Sequence, residues 1–344
     1  MKHINIPLFI QHMGCPNQCV FCDQRAITGA PSFCYEKVTK DIESVLSTAG
    51  EAECEIAFFG GSFTGIDRTL MINLLNIAQS YVESGRVKGI RMSTRPDYIS
   101  EEICDILSKY TISQIELGIQ SMSDDVLIAS KRGHTAEQTK IACRLLNDRG
   151  FSFGGQMMVG LPGSNSESEI ETAKAICAMG AESTRIYPLV VFRKTPLADM
   201  TARGEYVPLS VEEAVERAAN VYEVFLGNNV KCLKIGLHET ESLHNEASYL
   251  AGPNHSAMGE LVKGEIYSRR IIEKTGALYD IKNKILLIEA PKGSTSKIIG
   301  QKGSNKRKII DELGVKNIKI LEKQDLMEYN IYVKLFWKRD KCLK

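Results

Sequence analysis

Three cysteines lie close together near the start of the sequence, at Cys15, Cys19 and Cys22. Three thiolates at this C-x3-C-x2-C spacing can ligate three irons of one [4Fe–4S] cluster and leave the fourth iron open for a small ligand. A structural zinc site would need a fourth ligand, for which His12 is the candidate, and a redox disulfide would leave one thiol unused. The spacing therefore favours an iron–sulfur site over these two alternatives.

The segments around the cysteines predict the scaffold that must hold such a site. Short apolar runs alternate with amphipathic helical stretches, as expected for a parallel sheet with helices outside it. The predicted strands are 6–10, 55–59, 89–93, 114–118, 153–159, 184–189 and 231–237, and the predicted helices include 68–83, 136–149, 167–179 and 211–225. Helix starts are marked by Asp67, Ser100, Thr135 and Ser210. About six such repeats suit a partial (β/α)6 TIM-like barrel, whose functional loops follow the carboxyl ends of the strands.

The composition is that of an ordinary globular protein, but the charge is unevenly distributed. The chain has 344 residues, 43 basic and 42 acidic, and no apolar run long enough to span a membrane, so we expect a cytoplasmic protein with reduced thiols. Residues 281–344 hold 16 of the basic and 7 of the acidic residues, a net charge of +9, which leaves −8 for residues 1–280. Such an asymmetry suggests a polyanionic partner such as nucleic acid, although a solvated lysine-rich surface explains it equally well.

Six further blocks follow the cysteines in order along the chain. They are FFGGSFT at 58–64, STRPDY at 93–98, IELGIQS at 115–121, KRGHT at 131–135, MMVGLPG at 157–163 and IYPLVVFRKTPL at 186–197. With the cysteines, they resemble the radical S-adenosylmethionine superfamily, and within it the radical domain of the Elongator catalytic subunit, over about residues 5–225. The resemblance implies two cofactors, a [4Fe–4S] cluster on Cys15, Cys19 and Cys22 and S-adenosylmethionine, which together yield a 5′-deoxyadenosyl radical.

The same resemblance assigns residues to S-adenosylmethionine. Phe21 falls at the family's adenine position, the Gly-Gly block binds the methionine amine, and Glu116 contacts the ribose. The implied cofactor-binding residues are Phe21, Gly60, Gly61, Ser62, Thr64, Arg95, Glu116, Gln120, Ser121 and Met158. The alternative for Glu116 is a buried ion pair with Arg95. Arg193 and Lys194 are candidates to hold a substrate anion or the cofactor carboxylate, or are plain rim charges.

The sequence departs from the Elongator pattern in two ways. The Elongator family spaces its first two cysteines further apart, and it carries an acetyltransferase domain that we do not expect here. The second difference puts the acetyl-coenzyme A chemistry of Elongator in doubt here, and with it the carboxymethyl product.

The basic tail carries a second motif, KIIGQKGS at 297–304. It resembles the GXXG loop of a KH domain, which clamps about four nucleotides of single-stranded RNA. The predicted RNA-binding residues are Lys297, Gly300, Gln301, Lys302, Gly303, Lys306, Arg307 and Lys308, with an apolar groove from Ile298, Ile299, Ile309 and Ile310. Short helices are predicted on either side of this loop, at 295–299 and 304–313, and the alternative to an RNA clamp is a helix–turn–helix without a ligand.

The chain is thus predicted to have three parts. They are a radical domain at 1–240, a connecting loop at 241–260 and a small α+β KH-like domain at 261–344. In the connecting loop, His255 and Glu260 are candidates for a proton relay at the substrate, although a lone histidine in a turn is more often a hydrogen-bond partner. His238 is similarly ambiguous.

Three functions fit these features. The first is a radical enzyme that modifies a tRNA or rRNA nucleobase, such as a wobble uridine, with a low-potential electron donor such as flavodoxin or ferredoxin and no membrane partner. The second keeps the radical chemistry but acts on a small molecule such as a tetrapyrrole, since oxygen-independent porphyrin enzymes share the cysteine spacing. The third is a non-enzymatic, ribosome-associated RNA-binding factor with a structural or sensing cluster.

Overall fold

The computed structural model describes residues 3–15, 19–23, 27–28, 32–237, 245 and 247–336. His238 lies outside the described residues. The chain divides into two compact units, Met1–Ser256 and Ala257–Lys344. No helix in the described ranges combines the length and apolarity that crossing a membrane requires.

The first unit alternates strands and helices. Its strands are β1 His3–Phe9, β2 Glu53–Phe59, β3 Gly89–Thr94, β4 Ile112–Gln120, β5 Phe153–Val159, β6 Ser183–Pro188, β7 Val191–Phe192, β8 Lys231–Ile235 and β9 Tyr249–Ala251. Its helices are α1 Val38–Ala49, α2 Arg68–Glu83, α3 Glu101–Leu107, α4 Asp124–Ala129, α5 Ala136–Asp148, α6 Ser166–Ala178, α7 Pro196–Ala202 and α8 Val211–Gly227.

Seven of these strands form one parallel sheet, in the order β1-β2-β3-β4-β5-β6-β8. The order follows the chain, so each strand lies beside its predecessor and the sheet curls into an open half-barrel. This confirms the predicted fold class, with seven strands where about six repeats were expected. β7 and β9 pair separately and antiparallel.

Strand alternation gives the sheet two different faces. Ile56, Ile90 and Ile115 are fully buried on the side that the helices cover. Polar and charged side chains project from the other side of the same strands, among them Arg91 and Glu116. Because successive side chains point to opposite faces, this second set lines the inside of the half-barrel.

The predicted helix starts are confirmed by their hydrogen bonds. Asp67 accepts from the Leu70 amide at 2.9 Å, Ser100 accepts from the Ile103 amide, and Thr135 and Ser210 each close a reciprocal capping box. These caps satisfy amides that otherwise lack a partner in the first turn of a helix, and they fix where each helix leaves the sheet.

The second unit is a small α+β module. It contains α9 Met258–Thr275, β10 Ile285–Pro291, α10 Thr295–Ile299, α11 Ser304–Leu313, β11 Asn317–Lys323 and β12 Tyr332–Leu335. β10 lies at the centre of a three-stranded sheet, parallel to β11 and antiparallel to β12. The predicted helices 295–299 and 304–313 match α10 and α11 residue for residue, as the predicted 153–159 and 68–83 match β5 and α2 of the first unit. The other predicted elements differ by a few residues at their ends.

Candidate functional site

The loop that carries Cys15, Cys19 and Cys22, called the cysteine loop below, follows β1 and contacts the Gly-Gly turn that follows β2. The His12 amide donates to the Gly60 carbonyl at 3.0 Å, and the Ser62 amide donates to the Met13 carbonyl at 2.9 Å. A Cβ added to Gly61 would stand 2.4 Å from the Ile10 carbonyl oxygen, closer than any real side chain allows. The glycine is therefore needed where the two loops touch.

The sulfurs of Cys15 and Cys19 have polar partners from other loops. The Cys15 sulfur lies 3.1 Å from the Ser62 hydroxyl, and the Cys19 sulfur accepts from Arg132 Nη1 at 3.2 Å. The other arginine nitrogen, Nη2, donates to the Gly118 carbonyl at 2.6 Å. Arg132 thus ties the cysteine loop to the end of β4.

The third cysteine lies on a backbone turn, since the Cys22 amide donates to the Cys19 carbonyl at 3.1 Å. Among the described residues, no three Cys, His, Asp or Glu side chains stand together as a preformed metal site. The ligand set Cys15, Cys19 and Cys22 accordingly stays a prediction from spacing and resemblance.

The middle of the loop is fixed from two sides. The Val20 amide donates to the Ser130 carbonyl, and the Val20 carbonyl accepts from the Leu197 amide at 2.8 Å. Phe21 is buried and packs in an apolar cluster with Val20, Leu161 and other side chains. The half-buried Met158 packs against the same cluster. Phe21 and Met158, both predicted to bind the cofactor, therefore lie beside the cysteines.

Several buried polar atoms around this loop lack a hydrogen-bond partner. They are Arg132 Nε, Arg95 Nη1 and Gln120 Oε1. Leaving a buried donor or acceptor unsatisfied costs about 1–3 kcal/mol, so such atoms mark places where a bound molecule can complete the hydrogen bonding. Gln120 also has a positive φ of 67°, a backbone strain that fits a ligand-facing position.

Arg95 pairs with Asp97 through two hydrogen bonds of 2.9 and 3.0 Å. Burial disfavours its charge, but the Asp97 carboxylate more than offsets this, and the pKa of Arg95 is raised. One nitrogen of each guanidinium near the cysteine loop, Arg95 Nη1 and Arg132 Nε, has no partner among the described residues and can donate to an anionic ligand. Arg132 lies in the KRGHT block, whose sequence gives it no role, and its contact with Cys19 identifies it as part of the site.

Glu116 lies in a buried ion network inside the half-barrel. Its carboxylate accepts from Arg185 Nε at 2.5 Å, Arg185 Nη2 at 2.9 Å, Gln156 Nε2 at 2.8 Å and Arg91 Nη2 at 3.3 Å. The alternative of an ion pair with Arg95 is wrong in its partner, since Arg95 binds Asp97. The contact of Glu116 with the ribose of S-adenosylmethionine stays a prediction. The Glu116 carboxylate already accepts four hydrogen bonds from protein side chains.

Other predicted cofactor residues have structural partners. The Thr64 hydroxyl lies 2.7 Å from the Thr94 hydroxyl and donates to the Tyr98 carbonyl at 2.8 Å. Ser121 Oγ accepts from the Ser123 amide at 3.1 Å. Both side chains are buried, and both hold the loops after β2 and β4 in shape.

The predicted catalytic residues lie on different elements. Arg193 and Lys194 are exposed just after β7, and the Arg193 amide donates to the Ser248 carbonyl at 2.7 Å. His255 belongs to the first unit, whereas Glu260 lies in the first turn of α9 in the second. The proton relay stays a prediction.

The GXXG loop of the second unit joins α10 to α11. Gly300, Lys302 and Gly303 all have positive φ, and Gln301 and Lys302 are exposed at its tip. Arg307 Nη1 donates to the Lys302 carbonyl at 2.8 Å and so braces the loop. This loop could present its amides and a cation to a phosphate.

Two other cations predicted to bind RNA have carboxylate neighbours. Lys308 pairs with Glu265 at 2.7 Å, and Lys297 lies 4.0 Å from Glu328. The predicted apolar groove is wrong in part, because Ile298 and Ile309 are fully buried in the core. Only Ile299 and Ile310 are partly exposed.

Comparison with known proteins supports the superfamily predicted for the first unit. The sequence model of the Radical SAM superfamily matches residues 11–176, and that of the Radical_SAM C-terminal domain matches residues 181–268. An uncharacterized protein of Methanocaldococcus jannaschii is 30% identical over 64% of this chain and 72% of its own length. The chain belongs to the radical S-adenosylmethionine superfamily.

Two further relatives point to one branch of the superfamily. The tRNA uridine(34) acetyltransferase of Methanocaldococcus jannaschii is 37% identical over 38% of this chain, a match that spans 25% of that protein. The structure of archaeal Elp3 from Methanocaldococcus infernus has a TM-score of 0.61 at 22% identity, over 85% of this chain and 72% of that one, and shows the shared fold. This radical S-adenosylmethionine enzyme is related to the Elongator-type tRNA-modifying proteins.

The cofactors of the superfamily are a [4Fe–4S] cluster and S-adenosylmethionine, and the residues around the cysteine loop fit both. When bound, they supply a 5′-deoxyadenosyl radical, while the protein supplies binding and orientation. The three thiols belong to one loop, and Arg132 contacts the Cys19 sulfur. The Gly60–Gly61 turn beside this loop has no side chains that would cover its backbone.

The buried His134 predicts how stability depends on pH. It follows Arg132 in the KRGHT block, and neither ring nitrogen makes a hydrogen bond. Burial, with a smaller contribution from Arg132, lowers the pKa of His134 to about 4. The unfolded chain binds the proton at its ordinary pKa of about 6.5, so stability is complete above that pH. It falls by about 1.4 kcal/mol per pH unit, to a total of about 3 kcal/mol, as the pH drops from 6.5 to 4.

Urea unfolding of the wild type and of His134→Gln across this pH range measures the effect. We expect the variant to lose that part of the pH dependence. Equal slopes for the two proteins would contradict the prediction.

Proposed function

We propose that this enzyme directs its radical chemistry at a nucleobase of tRNA, with a wobble uridine as the favoured target. The support for the base is the similarity of residues in the radical domain to a protein named tRNA uridine(34) acetyltransferase. That match spans a quarter of the relative's length. The acetyltransferase reaction in the relative's name is therefore not assigned to this chain. A nucleotide in a loop is favoured, since chemistry on a paired base would first require its extrusion.

The observation that carries the RNA part of the proposal is the exposed loop Gly300–Gly303 in the basic second unit. We take this unit as a KH-like RNA-binding domain, and its loop as the phosphate clamp. Gln301 and Lys302 stand at the tip, and Arg307 braces the loop from α11. Lys306 and Arg307 add charge on the same helix, whereas Lys308 is largely neutralised by Glu265.

The radical site takes the following roles in this proposal. Cys15, Cys19 and Cys22 hold the cluster, Arg132 and Arg95 hold the carboxylate of S-adenosylmethionine, and Gln120 hydrogen-bonds the adenosyl part. The electron comes from a low-potential protein such as flavodoxin or ferredoxin. Arg193 and Lys194 contact the backbone of the RNA at the rim.

Comparative mass spectrometry of tRNA and rRNA nucleosides tests the proposal. A strain lacking the gene should lose one modified nucleoside, which the wild type restores and Cys19→Ala does not. Absence of any changed nucleoside would overturn the RNA function and leave a small-molecule substrate.

The loop is tested separately through RNA affinity. We expect Lys302→Glu to weaken tRNA binding several-fold and to reduce the salt dependence by about one ion, as loss of a phosphate contact does. Lys316→Glu, the same charge change at another exposed lysine of the unit, is the matched control. Equal binding by the two variants would remove the loop from the proposal.

A further inference from the structure

In the described part of the second unit, one face of the three-stranded sheet carries side chains that are mostly exposed or half-buried. On its other face Leu286, Ile288 and Ala290 of β10 are fully buried against the helices. Alternation then places Glu289 and Leu287 on the open face, where Leu287 is itself 9% exposed and lies beneath its neighbours. This open face, as we call it below, comprises Leu287, Glu289, Lys319, Leu321, Lys323, Tyr332, Lys334 and Phe336.

Strand register arranges these side chains in rows across the sheet. Leu287 lies opposite Lys319 on one side and Lys334 on the other. Glu289 lies between Leu321 and Tyr332 in the same way. Directly opposed residues of neighbouring strands share a face, so the open face alternates cations with apolar and aromatic groups.

An aromatic ring stands free on this surface. Tyr332 is 61% exposed, which is high for a residue type of intermediate burial. Phe336 lies four residues further along, and Lys319 Nζ stands 3.8 Å from the centre of its ring. Aromatic rings, which stack on bases, and cations, which neutralise phosphates, therefore lie side by side on this face.

The charge of the open face is positive. It holds three lysines, at positions 319, 323 and 334, against the single carboxylate of Glu289. Lys334 donates to Glu289 at 2.9 Å, which leaves the ammonium groups of the other two lysines as the excess charge. A polyanion with flat, stackable groups is the partner that complements such a surface.

We propose that the open face binds single-stranded RNA, with a base stacked on Tyr332 and phosphates held by Lys319 and Lys323. The proposal rests on the RNA function proposed above and adds a second contact surface to it. The GXXG loop lies on the helical side of the unit, between α10 and α11, whereas the open face is the opposite side of the sheet. The RNA would be held on both sides of this unit.

Fluorescence anisotropy with the full-length protein tests the proposal. The probes are a short labelled single-stranded RNA of mixed sequence and the duplex of the same sequence. We expect Tyr332→Ala to weaken single-strand binding about tenfold, the size of one lost base–aromatic stack. Tyr332→Phe should keep the affinity, because it keeps the ring. Tyr279→Ala, which removes a 92% exposed tyrosine elsewhere in the same unit, should change nothing.

Duplex binding should be unaffected by Tyr332→Ala, since paired bases offer no free face. The proposal is overturned if Tyr332→Ala behaves like Tyr279→Ala, or if single-strand and duplex affinity fall equally. It is also overturned if the variant changes only self-association, which would make the surface a protein interface. A wild type without affinity for RNA would refute the proposed function as well. A loss in Lys302→Glu alone would refute only the open face.

Discussion

Replacing Cys19 by alanine should abolish both cluster assembly and the reductive cleavage of S-adenosylmethionine. Cys19 is the central cysteine of the loop, buried, and the acceptor of the Arg132 hydrogen bond. Its loss removes one of three thiolates that would hold three irons, and a [4Fe–4S] cluster has no spare cysteine in the C-x3-C-x2-C segment. Iron and sulfide content after anaerobic reconstitution, together with formation of 5′-deoxyadenosine, should fall to background.

Cys177→Ala is the matched control for this experiment. Cys177 is a half-buried thiol on α6, well outside the cysteine loop in sequence, and burial raises the pKa of its thiol. The control should reconstitute and cleave S-adenosylmethionine like the wild type. A Cys19→Ala protein that held a full cluster would show that the spacing had identified the wrong ligands.

The parts of the site that follow from periodicity were accessible to sequence reasoning. Each strand of the sheet could be placed because it is a short apolar run between amphipathic helical stretches, and helices such as α2 could be placed because Asp67 marks the start. By contrast, α1 was not predicted. It begins after Lys37, which provides no side-chain cap, so its start carries no local signal.

Contacts between distant strands could not be read in the same way. Alternation predicts that Glu116 points into the half-barrel, but not which arginine meets it there. Arg91 and Arg185 reach it from β3 and β6, while Arg95, the nearer candidate in motif order, turns to Asp97. The identity of a partner depends on register between strands, which the sequence of one strand does not contain.

The KH-like groove shows the same limit on a helix. Ile298 and Ile299 are neighbours in sequence, and consecutive residues of a helix lie about 100° apart. Only one of them can face the core, and it is Ile298 that is fully buried. Ile298 is therefore a core residue and does not line a surface groove.

Removing the charge of Glu116 should destabilise the first unit strongly. Glu116→Gln keeps the shape of the side chain but leaves the buried Arg185 without a carboxylate and Arg91 with Glu55 only, at 3.2 Å. Breaking a buried ion pair by removing one partner costs about 3–5 kcal/mol, because the remaining charge is buried without compensation. The free energy of unfolding from urea titration should fall by that amount.

Glu205→Gln is the control, since Glu205 pairs with Arg203 on the exposed surface and its loss should leave stability unchanged. Combining Glu116→Leu with Arg185→Met should recover part of the loss, because both charges then leave the interior together while Arg91 keeps Glu55.

The two interpretations of Glu116 predict different S-adenosylmethionine binding by Glu116→Gln at a temperature where the variant stays folded. A structural carboxylate predicts nearly normal binding by Glu116→Gln, whereas a ribose ligand predicts weak binding by a protein of normal stability. The four hydrogen bonds that Glu116 already accepts favour the first outcome.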